Sequence, residues 1–354
     1  MAENMVLDWM KFSSSVSGEA AEKENYLKVI RGEEPDWVPL YFDACDWVFT
    51  GFMLDYVNKE RKFDIFNVEW EIHEAGKMPK PNRRLLEDVT KWRDFVNFPD
   101  TSKIDWEQMA AEALKIHDPN KAMGYRTDGC GGNFFIPLMN MMGFEEGLCA
   151  LLEEPEAVDE LFEAITVLTE EAMRHLIPIY KPDVVIIDDD MASATNLFIS
   201  LETFRARFRP FYQRLIDVAK EFELPVELHM CGCCEKVIPD FVEMGVNIWQ
   251  PAQVMNDLKG IKARYGNRLV LNGGWDSQGK AGMPGASQET VRQSTRTAID
   301  QFAEGGGYVF WDLSPVGQSE DMQKKSPGWR MRPEPMAGSI IIRKNRKAKT
   351  VVNE

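Results

Sequence analysis

The chain has 354 residues, 44% hydrophobic and 28% charged, an ordinary globular composition with enough length for one large α/β barrel or two average domains. Its formal charge of -16 excludes the overall basic surface that nucleic acid or an anionic membrane requires, and no apolar run approaches the length of a bilayer span. Residues 1–24 are mixed and polar without a signal-like apolar core, and six irregularly spaced cysteines make no disulfide framework, so the expectation is a soluble cytoplasmic protein.

A helix around Asn25 to Arg31 is broken by Pro35-Asp36, and Val38 to Phe42 reads as a first strand ending in the polar and aromatic cluster Asp43-Ala44-Cys45-Asp46-Trp47. Residues 55–119, rich in charge and Trp, read as an excursion of helices and loops. Ala122 to Arg126 is a strand leading into the glycine-rich turn Thr127 to Gly132, which lacks the Lys-Ser/Thr of a phosphate loop. Pro155 opens a long helix whose apolar residues Val158, Leu161, Phe162, Ile165, Leu168 and Ala172 recur at spacings of three and four.

From there strands and helices alternate. Strand Val184 to Ile187 ends in Asp188-Asp189-Asp190, Val226 to Leu228 in His229, Val246 to Trp249 in Gln250-Pro251, Leu269 to Leu271 in Asn272-Gly273-Gly274, and Tyr308 to Trp311 in Asp312. Strands separated by single helices must pair in parallel, which favours a (β/α)8 TIM-type barrel over an open sheet. The basic run Arg343 to Lys349 reads as a solvated tail.

In such a barrel the active site lies at the C-terminal strand ends, and here those ends are polar. His229 and Cys231 are two residues apart, so along a strand they share a face and can meet one metal ion, zinc by default, at about 2.0 to 2.3 Å. Asp188, Asp189, Asp312 and Asn272 are candidate catalytic groups, and Asp43, Trp47, Gln250, Trp275, Asp276 and Trp311 candidate binding residues. His73, His117 and His175 fall away from strand ends and are read as structural.

The ordered set Asp188-Asp189-Asp190, His229-Met230-Cys231-Gly232, Ile238-Pro239-Asp240, Gln250-Pro251, Gly273-Gly274-Trp275-Asp276 and Gly305-Gly306-Gly307-Tyr308 resembles the uroporphyrinogen decarboxylase superfamily, in particular its corrinoid-dependent methyltransferase branch. Upstream, Arg31 with Pro35-Asp36-Trp37-Val38-Pro39 and Pro99-Asp100 match its N-terminal landmarks. The resemblance covers residues 25–318, flanked by extensions at 1–24 and 319–354, and implies a barrel with its pocket at the strand ends and a His-x-Cys pair that joins a distant second cysteine around zinc. No cysteine follows Cys234, so either Cys233, Cys234, Glu227, Asp312 or one of Asp188 to Asp190 completes the set or zinc is absent; a carboxylate in the place of the thiolate is chemically permissible and would harden the site. The decarboxylases grip their substrate with an arginine-rich stretch where this chain has Phe42 to Trp47, which disfavours porphyrinogen decarboxylation.

The resulting expectation is transfer of a methyl group from an O-methyl donor, such as an aromatic methyl ether, to the Co(I) corrinoid (cobalamin) of a partner protein. Transfer from a methylated corrinoid to a thiol or pterin, a decarboxylase or lyase activity, and a non-catalytic role beside a corrinoid protein are the alternatives.

Overall fold

Apolar runs separated by single helices leave parallel pairing as the way to satisfy their backbones. The computed structural model describes residues 20–50, 62–73, 76–128, 132–283 and 285–311. Its strands are β1 (Cys45–Phe49), β2 (Trp70–His73), β3 (Gly76–Pro79), β4 (Ala122–Arg126), β5 (Val184–Asp188), β6 (Val226–His229), β7 (Ile248–Ala252), β8 (Val270–Gly274) and β9 (Tyr308–Trp311). β2 and β3 form a separate antiparallel pair within the stretch read as helices and loops, while the other strands make one seven-stranded sheet in the order β1-β4-β5-β6-β7-β8-β9. Every neighbouring pair in that sheet is parallel.

The two edges of the sheet are brought together by Leu40, which bridges Phe310 in parallel, and by the Phe310 amide, which donates to the Pro39 carbonyl at 3.0 Å. Inside, the Trp47 and Trp311 rings from the two edge strands meet at 6.1 Å. This is the expected α/β barrel of the TIM type, with seven strands in its hydrogen-bonded sheet among the described residues rather than eight.

The first strand lies later than its sequence suggests. Leu40 makes only a bridge, Tyr41–Ala44 form a single helical turn, and regular pairing starts at Cys45. A strand sends neighbouring side chains to opposite faces. Tyr41 and Phe42 instead both reach the barrel interior, their rings 5.5 and 5.6 Å from that of Trp311, and the helical turn permits this.

Two apolar layers hold the barrel. Inward-facing strand residues such as Cys45, Phe49, Val184, Ile186, Ile248 and Val309 cluster with Tyr26, Leu27 and Val29 of the helix Ala20–Ile30. That helix therefore plugs one end of the barrel. The outward faces pack on the helices, among them Pro155–Tyr180, whose predicted stripe from Val158 to Ala172 is buried. Among the described residues no single helix is long and apolar enough to cross a membrane.

Candidate active site and metal centre

Alternation along β6 turns Glu227 and His229 into the barrel, with Leu228 facing the helices. Glu227, one layer down, is fully buried and accepts from Tyr26 Oη at 3.1 Å and from Tyr41 Oη. Burial pushes its carboxyl up to about 7, although the two tyrosines and the nearby Gln250 amide favour its charge. Glu227 is thus part of the barrel floor, engaged by tyrosines rather than offered as a ligand.

His229 ends β6. Its Nδ1 lies 3.0 Å from Gln250 Oε1 and its Nε2 lies 3.6 Å from Cys231 Sγ and 3.9 Å from Asp190 Oδ1. The ligand atoms of Asp190, His229 and Cys231 all fall within 4.8 Å of one another. A tetrahedral zinc with ordinary bond lengths spaces its ligands by about 3.3 to 3.8 Å, so imidazole, thiol and carboxylate here fit a metal after small shifts. Burial holds His229 below its ordinary pKa and therefore neutral, as a ligand must be. It pushes the Cys231 thiol up, and the carboxylates of Asp190 and Asp188 add to that rise.

The loops supply the rest of the geometry. Asp190 lies just beyond β5, and its Oδ1 accepts the Cys231 amide at 2.7 Å, tying the two loops together. Asn256 clamps the second loop from behind: its Oδ1 accepts from the amides of Cys234 (2.8 Å) and Glu235 (3.0 Å), while its Nδ2 donates to the Gly232 carbonyl at 3.0 Å. In this clamp Cys234 is buried with its Sγ 3.5 Å from the Met230 carbonyl, and the Cys233 amide donates to Ser193 O at 2.7 Å. Neither thiol joins the group that Asp190 completes.

Asp188 and Asp189 take opposite directions. Asp188 faces the interior, where it accepts from Arg126 and lies 3.7 Å from His229 Nδ1. Burial raises its pKa well above the carboxylate range, with Arg126 opposing and the other aspartates reinforcing the rise. Asp189 points to the helices. Its carboxylate accepts from the amides of Phe134, Phe135 and Ile136 at 2.7 to 3.0 Å and from Tyr212 Oη at 2.8 Å, which caps the helix Phe135–Met142. These four donors occupy it fully, so the catalytic role expected of Asp189 gives way to a structural one.

The sequence pattern of the family described as Uroporphyrinogen decarboxylase (URO-D) matches residues 66–311. The chain belongs to the uroporphyrinogen decarboxylase family. Among solved structures, a methyltransferase from Methanosarcina mazei superposes with a TM-score of 0.56 at 13% identity, covering 83% of this chain and 94% of that one, a likeness of fold. No curated protein sequence matches the chain.

In this member of the family the walls beside His229 are aromatic, with the Trp47 and Trp311 rings 6.3 and 6.2 Å from the imidazole. Arg126 is a site residue that strand-end reading passed over. It closes β4, bonds Asp128 and Asp188, and lies 4.6 Å over the Trp47 ring. The available signal was its place as the last residue of a predicted strand, two positions before an aspartate. Gln250 pairs in register with His229, and Asn272 projects from the next strand, fully buried with both amide atoms lacking a hydrogen-bond partner among the described residues.

Other expected residues lie elsewhere. Trp275 and Asp276 line a cleft of about 670 Å³ with the helix Gln288–Phe302, and no member of the Asp190–His229–Cys231 group lines it. Asp43 sits in the helical turn before β1, half-buried, beside Phe42, whose carbonyl accepts from Lys121 at the N-terminal end of β4. Asp312 lies outside the described residues.

Proposed function

We propose that this chain is a corrinoid-linked methyltransferase of the uroporphyrinogen decarboxylase family, moving a methyl group from an O-methyl donor to the Co(I) corrinoid of a partner protein. The observation that carries the reading is the convergence of Asp190, His229 and Cys231 beside the indoles of Trp47 and Trp311. Zinc held by these three residues would supply Lewis acidity toward the oxygen that departs from the methyl group. A carboxylate in the set makes it harder than a site of cysteines and histidine, which favours oxygen as the partner atom.

The chain's own residues divide the remaining work. Gln250 orients His229, Trp47 and Trp311 keep water from one side of the group, and Asn272 offers a donor and an acceptor to a bound molecule. Asp188, paired with Arg126 and 3.7 Å from His229 Nδ1, holds that cation beside the group. Arg126 is balanced by Asp128 and Asp188, so it offers no free cation to a polycarboxylate. That supports transfer chemistry over porphyrinogen decarboxylation.

The test is metal content and methyl transfer on one preparation. Protein purified without chelator should carry about one zinc per chain, lose it in Asp190→Ala and His229→Ala, and convert a reduced corrinoid protein to its methylated form with an aromatic methyl ether. Zinc far below one per chain, with activity unchanged by chelator, would remove the metal. Demethylation of a methylated corrinoid by thiols, with no reaction of ethers, would select the thiol-acceptor reaction, toward which the soft Cys231 ligand inclines.

A further inference from the structure

We propose that Gln250 is a positioning residue that holds His229 in the tautomer protonated on Nδ1, leaving the bare Nε2 to face Cys231 and Asp190. The two residues are register partners on β6 and β7, and Gln250 Oε1 stands 3.0 Å from His229 Nδ1. A carbonyl oxygen only accepts, so this contact is a hydrogen bond only if Nδ1 carries the proton.

The orientation of the amide decides the argument, and it is set from below. Glu227, two residues before His229 on the same inward face, is an acceptor held by Tyr26 and Tyr41. Gln250 Nε2 makes no hydrogen bond of good geometry, but the amide stands next to this carboxyl group. Rotating the amide by half a turn would set its oxygen against Glu227, whose two oxygens already accept from Tyr26 and Tyr41, and its NH2 against His229, replacing attraction with a clash of acceptors. Gln250 is fully buried, so water does not compensate for the wrong orientation. The acceptor that Gln250 presents to His229 thus follows from the placement of Glu227 beneath it, which Tyr26 and Tyr41 hold.

The purpose of this lock rests on the metal reading, but the lock itself does not. A ligating imidazole needs its second nitrogen held so that the lone pair of the first is aimed, and loss of such a partner typically lowers metal affinity about 10- to 100-fold.

The experiment is nitrogen NMR of metal-free protein labelled at histidine, with the resonances of His229 assigned among the four histidines by their loss in His229→Gln. The wild type should show His229 protonated on Nδ1. Gln250→Met, similar in volume but without the acceptor, should move the proton largely to Nε2 and weaken zinc binding, measured by chelator competition, about 10- to 100-fold. Gln250→Glu, which restores an acceptor, should recover the Nδ1 form and most of the affinity. A wild-type His229 protonated on Nε2 overturns the proposal whether or not either variant folds, and so does a folded Gln250→Met that keeps the Nδ1 form. An Nδ1 form that depends on Gln250 in a protein that binds no zinc supports the lock and removes the metal reading.

Discussion

The guanidinium of Arg126 lies over the indole of Trp47 at 4.6 Å while bonding Asp128 at 2.9 Å and also Asp188. One cation thus answers two buried carboxylates at the mouth of the barrel. Arg126→Met is expected to cost about 3–5 kcal/mol, because it strands those charges rather than merely deleting a contact. Adding Asp188→Asn should recover part of the loss. Urea unfolding of the single and double variants checks this, and a single variant within about 0.5 kcal/mol of wild type would show that the network does not hold the mouth together.

The floor carboxylate predicts a pH dependence. Glu227 has an ordinary value of 4.5 and is raised to about 7 by burial in the folded chain. The folded state therefore binds this proton more tightly than the unfolded one. Its contribution to stability is full below pH 4.5, falls as pH rises, and is lost once pH passes about 7. The ceiling on that loss is about 3 kcal/mol. Glu227→Gln should flatten stability between pH 5 and 8, as measured by urea midpoints, and an unaltered pH profile would assign the dependence to other groups.

Neighbouring aspartates should behave oppositely. Asp189→Ala removes the acceptor of three amides and a tyrosine hydroxyl and is expected to cost about 2–4 kcal/mol, with zinc still bound by the folded fraction. Asp190→Ala, at a half-exposed position, should change stability by less than about 1 kcal/mol and weaken zinc binding at least about tenfold. Thermal melts and zinc titrations of both variants separate cap from ligand. A reversal of the two results would exchange the assignments.

Zinc binding should itself depend on pH. Burial keeps the Cys231 proton in place, and a metal must displace it. Affinity is expected to rise roughly tenfold per pH unit between pH 6 and 8, and Cys231→Ser should remove most of that slope along with most of the affinity.

Gly232 guards the approach of the two ligand loops. Its φ is +94°, and a Cβ there would stand 2.6 Å from the Ala192 carbonyl oxygen and 2.7 Å from that of Ser193. Gly232→Ala should cost about 1–3 kcal/mol and displace the chain that carries Asp190, so zinc affinity falls with stability. An alanine variant with native zinc affinity would show that the loops do not need this close approach.

Much of this architecture is readable from the sequence because two periodicities separate cleanly: spacings of three and four in the helix Pro155–Tyr180, and short apolar runs elsewhere. Strand ends then point to His229 and Cys231. The third member of their group was not readable from Asp188, Asp189 and Asp190 as a run. Alternation sends the first inward and the second outward, but the third lies past the strand, where the close contact between the Gly232 and Ala192 loops decides its direction. Trp47 was placed at the end of a strand that in fact begins two residues before it, because the turn Tyr41–Ala44 carries no helical signature of its own. Arg126 escaped because a lone arginine ending a strand looks like a solvated charge until the strands close round it.

The hydrogen bond from Tyr26 to Glu227 spans 201 residues of sequence. The floor beneath the Asp190–His229–Cys231 group is consequently made from the first described helix and the sixth strand, and neither half of the chain holds it alone. During synthesis Tyr26 emerges long before its acceptor exists, and when Glu227 appears it has a ready donor waiting. A fragment beginning after residue 44 would carry His229 and Cys231 yet lack both tyrosines beneath them. The site end of this barrel thus rests on side chains from its opposite end, and two stretches far apart in the chain must meet before that floor exists.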